Sequence, residues 1–365
     1  MGCVKHCLKV RYGIRCIPYF CTQARLLKDK TIRYPEMAAG MAETNNKQNT
    51  YFMAYPWGTD RRFNAWSDQS RKRYGTRLQK ISVNAGFSCP NRDGTVGIGG
   101  CSFCNNEGFS PSYCKPEKSI TQQIDQGLAF IRKRYPRAGK FLAYFQAYSN
   151  TYGSLEDLKK IYEQALDHPH ISGLVIGTRP DCVDEEKLDY FATLAGHYFV
   201  KLEYGVESCY DDTLQRINRG HGFEQSRRAI AMTAERGIMT GIHMIFGLPG
   251  ETRKQMLDQV TMLNQLPIQT IKFHQLQIVK GTAMASEYAM FPERFRLFEL
   301  EEYVDFIVSF IERLRSDVSV DRLSGEVPPR LIEGKRWENV RSDNFMQMVE
   351  RKMIERDTFQ AKLYD

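Results

Sequence analysis

The sequence has 365 residues, of which 42% are hydrophobic and 12% aromatic, a composition that suits a soluble globular protein with a sizeable core. No apolar run approaches the ~20 residues that a membrane-spanning helix needs, and no secretory h-region is present, so we expect a cytoplasmic protein whose ten cysteines are reduced. The formal net charge of +8 is concentrated near the start of the chain and does not by itself indicate nucleic-acid binding.

Residues 1–55 are predicted to lie outside the folded core. Their four cysteines match no zinc spacing, and the stretch "MAAGMAETNNKQNT" is typical of a disordered linker. We interpret this segment as a disordered or misassigned N-terminal extension. The core is then expected over residues 56–332, and a helical tail over residues 333–365.

The stretch "DRRFNAWSDQSRKRYGTRLQK" (residues 60–80) concentrates basic side chains before the first predicted strand. It is compatible with a phosphate-bearing substrate and equally with a solvated basic surface. Composition does not choose between these two interpretations.

A cysteine-rich loop follows the first predicted strand, "LQKISVNAG". Eleven residues separate Cys89 from Cys101, and two separate Cys101 from Cys104, in a loop rich in Gly, Asn and Pro. Three thiolates on one flexible loop can surround a metal centre but leave one coordination position open. A structural zinc site is closed by four protein ligands. A 4Fe–4S cluster that must bind a small molecule at one iron requires the open position.

Downstream, apolar strands alternate with amphipathic helices about six times. The segment from Ser119 to Tyr135 has apolar residues at helical spacing, and Ser154 is placed to cap the next helix. This alternation predicts an α/β protein with a parallel sheet and outer helices, closed as a complete or partial barrel or open as a doubly wound sheet. In either architecture, polar motifs at the strand ends would lie together.

The motif "CSFC", the wide first cysteine spacing and the string "CPNRDGT" resemble the YhcC-like branch of the radical S-adenosylmethionine (SAM) superfamily. That branch is related to the elongator catalytic subunit and to the coproporphyrinogen dehydrogenase group. The resemblance covers roughly residues 60–335. It implies a partial (β/α)6 TIM-type barrel of the radical SAM core, followed by a helical C-terminal extension.

The resemblance also implies the cofactors and the reaction. A 4Fe–4S cluster would be held by Cys89, Cys101 and Cys104, and its open iron would chelate SAM. Reductive cleavage of SAM would then give a 5′-deoxyadenosyl radical that abstracts hydrogen from an unidentified substrate. A flavodoxin- or ferredoxin-like reductant protein is expected as partner. RNA or tRNA is a possible substrate through the elongator relationship, and no membrane partner is expected.

Further SAM contacts are carried over from the family's motifs. Phe103 resembles the aromatic residue beside the adenine. The segment "FQAYSNTYG" takes the place of the family's Gly-Gly-Glu motif, which this sequence lacks. The ribose contact maps to Glu207 and the carboxylate partner to Arg219, since a guanidinium offers two parallel donors. The remaining predicted SAM-binding residues lie at the ends of the second, third and fifth strands: Gln146, Ser149, Asn150, Thr178, Asp181, Gly247 and Gly250.

Other polar residues at the strand ends have weaker assignments. Glu203 points to the same region and could face the substrate, whereas His243 is predicted to be a satisfied core histidine. His274, Gln277 and Lys280 are candidate substrate contacts at the sixth strand end.

Two other functional classes remain open at this point. One is a noncatalytic module that binds zinc or an iron–sulfur cluster, with Cys114 as the fourth ligand in the zinc case. The other is an electron-transfer protein, which predicts a fourth cluster ligand that the spacing does not offer.

Overall fold

The computed structural model describes residues 55–106, 110–135, 138–337 and 340–364. Residues 1–54 of the predicted N-terminal extension, with its four cysteines, lie outside the described residues. No helix in these ranges has the length and apolar character needed to span a bilayer.

Within the described ranges, seven parallel strands form one sheet in the order in which they occur along the chain. They are β1 (Leu78–Val83), β2 (Lys140–Phe145), β3 (Ile171–Thr178), β4 (Phe199–Glu207), β5 (Met239–Phe246), β6 (Thr270–Gln275) and β7 (Ser319–Arg322). The helices are α1 (Trp66–Tyr74), α2 (Ile120–Arg134), α3 (Leu155–Leu166), α4 (Glu185–Ala195), α5 (Asp211–Arg216), α6 (Phe223–Glu235), α7 (Arg253–Asn264), α8 (Ala283–Met290), α9 (Leu300–Ile311) and α10 (Ser342–Glu355).

The sheet curls into a half-barrel. In a flat sheet of this size the two edge strands would lie about 29 Å apart, at ~4.8 Å per strand. Instead, Lys80 Nζ on β1 is 2.7 Å from Asp321 Oδ2 on β7. The predicted partial barrel is confirmed, and the segment "VSVDRLSGEVP" supplies its seventh strand.

Local sequence signals explain where several helices begin. Ser119 and Gln122 form a capping box at the start of α2, as Thr252 and Gln255 do at the start of α7. The Ser154 hydroxyl accepts a hydrogen bond from the Asp157 amide, which confirms the predicted cap of α3. Each cap satisfies backbone donors that would otherwise lack partners at a helix start.

The two faces of the sheet differ in chemistry. One face packs apolar side chains such as Ile81, Phe145 and Leu202 into the main core with the outer helices. The opposite face, inside the half-barrel, carries a small separate apolar cluster of Leu142, Tyr144 and Val175, together with charged residues of several strands. Charged side chains are therefore concentrated inside the half-barrel, below the carboxyl ends of the strands.

The C-terminal helix packs onto the rest of the fold. Phe345, Val349 and Met353 of α10 are buried in the main core. Beyond this helix, the Gln360 side chain donates hydrogen bonds to the carbonyls of Arg315 and Val318. The predicted helical C-terminal extension is present and is anchored to the half-barrel.

Candidate active site

A pocket opens at the carboxyl ends of the strands, between the cysteine loop and the mouth of the half-barrel. Of the thirteen SAM- and cluster-binding residues predicted from the sequence, eight line it: Cys89, Cys101, Cys104, Phe103, Gln146, Thr178, Glu207 and Arg219. The other lining residues are Arg92, Gly100, Asn106, Tyr144, Tyr148, Gly177, Arg179, Glu203, Gly205 and His243. The predicted residues therefore converge although they lie far apart in the sequence.

The cysteine loop folds back on itself around Asn91. The Asn91 side chain donates to the Asn218 carbonyl at 2.5 Å and lies 3.7 Å from Cys101 Sγ, while its backbone carbonyl accepts from the Gly100 amide. Gly99 and Gly100 both have φ of 83°, in the left-handed region where a side chain is strained. These glycines let the chain reverse so that Cys89 and Cys101 reach the same pocket.

Two cations lie beside the thiols. Arg219 Nη1 is 3.5 Å from Cys101 Sγ, and Arg92 donates to the Cys104 carbonyl at 2.9 Å. Burial raises the pKa of the Cys104 thiol and the neighbouring Cys101 adds to this, whereas Arg92 opposes it. The thiolate form at Cys104 therefore needs further positive charge, which metal ions would supply.

The geometry does not support a mononuclear zinc site. In the described part of the chain, no three His, Cys, Asp or Glu side chains converge closely enough to hold one metal ion. Cys114 is buried outside the pocket lining, and burial raises its thiol pKa to about 11. A cluster has less need of such convergence, because each thiolate binds a different iron. The three free cysteines of one pocket fit that donor set.

Two buried arginines line the pocket with unused donors. Arg179 makes two parallel hydrogen bonds to Asp181, at 2.8 and 2.7 Å, and Arg219 donates to the Gly205 carbonyl. Arg179 Nη1 and Arg219 Nε are buried and have no partner among the described residues. Unpaired buried donors are costly, so an anionic group in the pocket would satisfy them.

The two charged residues of the third strand end have different positions. Asp181 lies outside the pocket lining and holds Arg179, which does line the pocket. The sequence "GTRPD" contained both residues but did not show which one faces the cavity. The structure thus gives Asp181 a position behind Arg179, and its direct contact with SAM stays a prediction.

Ser149 and Asn150 form a layer behind the pocket wall. Ser149 Oγ lies 3.1 Å from Thr178 Oγ1, and the Asn150 amide donates to the Gly177 carbonyl at 2.7 Å. Both are buried and neither lines the pocket, whereas Thr178 does. The structure thus gives Ser149 and Asn150 a supporting position, and direct contact with SAM stays a prediction.

Gly247 and Gly250 lie at the turn after β5. Both have φ of 98°, which explains the need for glycine, and neither lines the pocket. A Cβ on Gly247 would make ordinary van der Waals contact with Leu276 and Phe298, so the backbone conformation and not a lack of space calls for glycine. Their contact with adenine also stays a prediction.

The sequence missed part of the pocket wall. His243, predicted as a core histidine, lines the pocket and lies 3.3 Å from the Glu203 carboxylate. Glu203 lines it too, as expected, whereas His274, Gln277 and Lys280 are not in its lining. Arg92 and Asn106 were available as polar residues near the cysteines, but Tyr144 lies in an apolar strand that gave no signal.

Glu207 has an unusual backbone and an unusual carboxyl group. Its φ is 68°, a sparsely populated conformation for a residue with a side chain, at a register shift in β4. Burial raises the pKa of its carboxyl to about 6, although Arg219 and Arg179 oppose this. Such strain and titration are typical of residues held in place for function.

The raised pKa of Glu207 predicts a pH-dependent stability difference. Between pH about 4.5 and 6 the unfolded chain releases this proton while the folded chain retains it, so stability falls as pH rises. Relative to Glu207→Gln, we expect the wild-type unfolding free energy to fall by about 2 kcal/mol over this range, at ~1.36 kcal/mol per pKa unit. Urea unfolding of the iron-free proteins at several pH values measures this, and parallel pH profiles would contradict it.

Comparison with known proteins identifies the family. The model of the radical SAM superfamily matches residues 88–263, and that of the radical SAM C-terminal domain matches residues 268–355. Protein YhcC of Escherichia coli (strain K12) is 37% identical over 275 residues, which are 75% of this chain and 87% of YhcC. The uncharacterized protein MJ0486 of Methanocaldococcus jannaschii is 34% identical over 266 residues, 72% of this chain and 80% of that protein.

More distant similarities concern enzymes and a solved structure. The tRNA uridine(34) acetyltransferase of Methanocaldococcus infernus is 25% identical over 201 residues, 54% of this chain and 35% of that enzyme. The structure of the archaeal Elp3 from the same organism has a TM-score of 0.58 at 16% identity, covering 78% of this chain and 64% of that one. This chain thus spans less than two thirds of the Elp3 chain, and the likeness concerns the fold. From the matched family models and the identity to YhcC, the chain belongs to the radical SAM superfamily.

Proposed function

We propose that the protein is a radical SAM enzyme whose 4Fe–4S cluster is held by Cys89, Cys101 and Cys104. The observation that carries this proposal is the meeting of three free cysteines with two buried, incompletely paired arginines in one pocket. The cofactors of this superfamily are a 4Fe–4S cluster and SAM. Bound at these cysteines, the cluster would supply the one electron for reductive cleavage of SAM, which would yield methionine and the 5′-deoxyadenosyl radical that abstracts hydrogen from the substrate.

In this proposal the protein's own residues bind and orient SAM. Arg219 and Arg179 offer guanidinium donors to the SAM carboxylate, and Asp181 fixes the plane of Arg179. Glu207 presents its carboxyl group to the ribose, and Phe103 offers an apolar ring beside the adenine.

Replacing Arg219 by glutamine is expected to weaken SAM binding by roughly 10- to 100-fold. A hydrogen bond to a charged group contributes about 1.5–3 kcal/mol, and Arg219 is buried beside the cysteine loop. Equilibrium binding of SAM to the anaerobically reconstituted proteins measures the change. Arg216→Gln is the matched control, because Arg216 is a partly exposed residue of α5 that pairs with Glu287 outside the pocket. Equal losses in both variants would contradict the role of Arg219.

The substrate proposal of RNA or tRNA rests on the distant relation to tRNA uridine(34) acetyltransferases. The structure weakens the argument for RNA binding from the basic stretch of residues 60–80, because some of its basic side chains are already paired or lie inside the half-barrel. Arg61 pairs with Asp68 and Glu350, and Lys80 lies inside the half-barrel. Filter binding of bulk tRNA at moderate salt tests the proposal, and absence of binding would contradict it.

Enzymes of this superfamily generally need a reductant, and we propose a flavodoxin- or ferredoxin-like protein for this role. The alternative of a noncatalytic zinc module conflicts with the geometry around Cys114 described above. Metal analysis separates the two, since zinc would give a colourless, air-stable protein and an iron–sulfur cluster a brown, oxygen-sensitive one.

A further inference from the structure

A network of five charged side chains lies inside the half-barrel, below the cofactor pocket. It joins four strands and consists of Lys80 on β1, Lys201 and Glu203 on β4, Lys272 on β6 and Asp321 on β7. Lys201, Glu203 and Lys272 are buried, with at most 3% of each residue exposed. None of these side chains belongs to the residues proposed to bind the cluster or SAM.

In the described part of the chain, the three lysines form ion pairs only with the carboxylates of Glu203 and Asp321. Glu203 Oε1 is 3.1 Å from Lys80 Nζ and 2.8 Å from Lys201 Nζ, and Glu203 Oε2 is 2.5 Å from Lys272 Nζ. Asp321 Oδ2 is 2.7 Å from Lys80 Nζ and 3.0 Å from Lys201 Nζ. Lys272 also donates to the Tyr144 hydroxyl at 3.1 Å. Lys272 Nζ also lies 3.9 Å from Asp321 Oδ2, so every member of this compact network has at least two charged partners within it.

Three ammonium groups face only two carboxylates, so the network holds one positive charge in excess. Burial alone would raise the pKa of Glu203, but Lys201, Lys272 and Lys80 hold it well below its usual value, so the carboxylate is ionised. Burial lowers the pKa of Lys272, and burial together with Lys272 lowers the pKa of His243 to about 4. His243 is thus neutral at pH 7. The lowered pKa of Glu203, rather than these two shifts that burial dominates, indicates a positive potential in this part of the half-barrel.

The network borders the pocket that would hold SAM through Glu203, and its lysines lie behind the pocket lining. Glu203 is the network member that lines the pocket, its neighbours Tyr144 and His243 line it too, and each of the three lies within a strand. The cysteines, Glu207 and Arg219, in contrast, lie in loops or at a strand end. A second molecule that enters the half-barrel beside SAM therefore meets Tyr144, Glu203 and His243, which we name the pocket floor.

Resting on the proposed function, we propose that the substrate carries an oxyanion, a carboxylate or a phosphate, that binds over the pocket floor next to Lys272. An unmatched buried positive charge is expensive, and buried ion pairs are seldom the most stable way to fill an interior. A bound oxyanion balances the excess charge of the network. It also explains why a polar network occupies the half-barrel, where packed apolar side chains would give a more stable fold.

The test uses the reconstituted full chain with saturating SAM, so that the SAM carboxylate occupies Arg219 and Arg179. Malonate and inorganic phosphate serve as probes, and their binding is measured by calorimetry at pH 7. Malonamide, which has the shape of malonate without its charge, is the neutral control. Lys272→Met removes the excess charge, Lys272→Arg restores it, and Lys254→Met removes a lysine whose side chain is 84% exposed on α7.

We expect wild type and Lys254→Met to bind malonate, phosphate or both but not malonamide, and Lys272→Met to bind at least about tenfold more weakly. Binding of phosphate but not malonate would indicate a phosphorylated substrate such as RNA. Binding of malonate but not phosphate would indicate a carboxylate substrate. If Lys272→Met does not fold, the proposal is tested by comparing the binding of malonate and of malonamide to the wild-type protein. Equal binding by wild type and Lys272→Met, or no preference of wild type for the anion, would overturn the proposal. SAM cleavage by the wild-type protein is measured in a separate assay. If the wild-type protein does not cleave SAM but its anion binding depends on Lys272, the enzyme proposal is rejected and the anion site is retained.

Discussion

Replacing Cys101 by alanine is expected to abolish assembly of the iron–sulfur cluster. Cys101 lines the pocket with Cys89 and Cys104, and Cys114, the next cysteine along the chain, lies outside the pocket lining. Iron and acid-labile sulfide should fall from about four each per chain to near background after anaerobic reconstitution. Chemical analysis and the absorption spectrum of the reconstituted protein measure the loss.

Cys114→Ala is the matched control for this prediction. Cys114 is also buried, free and close in sequence to the cysteine loop, so general damage to the fold would appear in it as well. We expect this variant to retain the wild-type iron and sulfide content. Loss of metal in Cys114→Ala, or retention in Cys101→Ala, would contradict the assignment of three cysteine ligands.

Asp321→Ala is expected to lower the free energy of unfolding by about 3–5 kcal/mol, the usual cost of removing one partner from a buried ion pair. Asp321 contacts Lys80 and Lys201, and its loss would leave three ammonium groups facing Glu203 alone. The same contact ties the two edge strands of the half-barrel together. Urea unfolding of the full chain at pH 7 measures the change.

Asp317 provides the comparison on the protein surface. It pairs with Arg315 at 2.8 Å, but 72% of its side chain is exposed. Asp317→Ala should therefore cost only about 0–1 kcal/mol. If both aspartates gave the same small effect, the interior network would not be holding the edge strands together.

Much of the fold was predictable because it is encoded locally. Alternating strands and helices gave a parallel sheet, and the Ser154 cap marked the start of α3. The cysteine loop was predictable for a similar reason, because its ligand candidates and its glycines lie within one short segment. The family resemblance then supplied distant residues such as Arg219, which no local pattern connects to Cys101.

The interior network could not be predicted in this way. Lys80, Lys201, Lys272 and Asp321 lie on four strands spread over most of the chain, and each looks like an ordinary polar residue in its own segment. Only the curl of the sheet brings them together. Likewise, the sequence "GTRPD" cannot show that Arg179 faces the pocket while Asp181 lies behind it, because that depends on the turn after β3.

The most direct test of the central claim is an assay for 5′-deoxyadenosine. The anaerobically reconstituted protein is incubated with SAM and dithionite, and the product is quantified by chromatography and mass spectrometry. We predict that the wild-type protein forms 5′-deoxyadenosine and that Cys104→Ala forms none. No product from a wild-type protein with a full complement of iron and sulfide, or a stable stoichiometry of zinc instead, would contradict the proposed function.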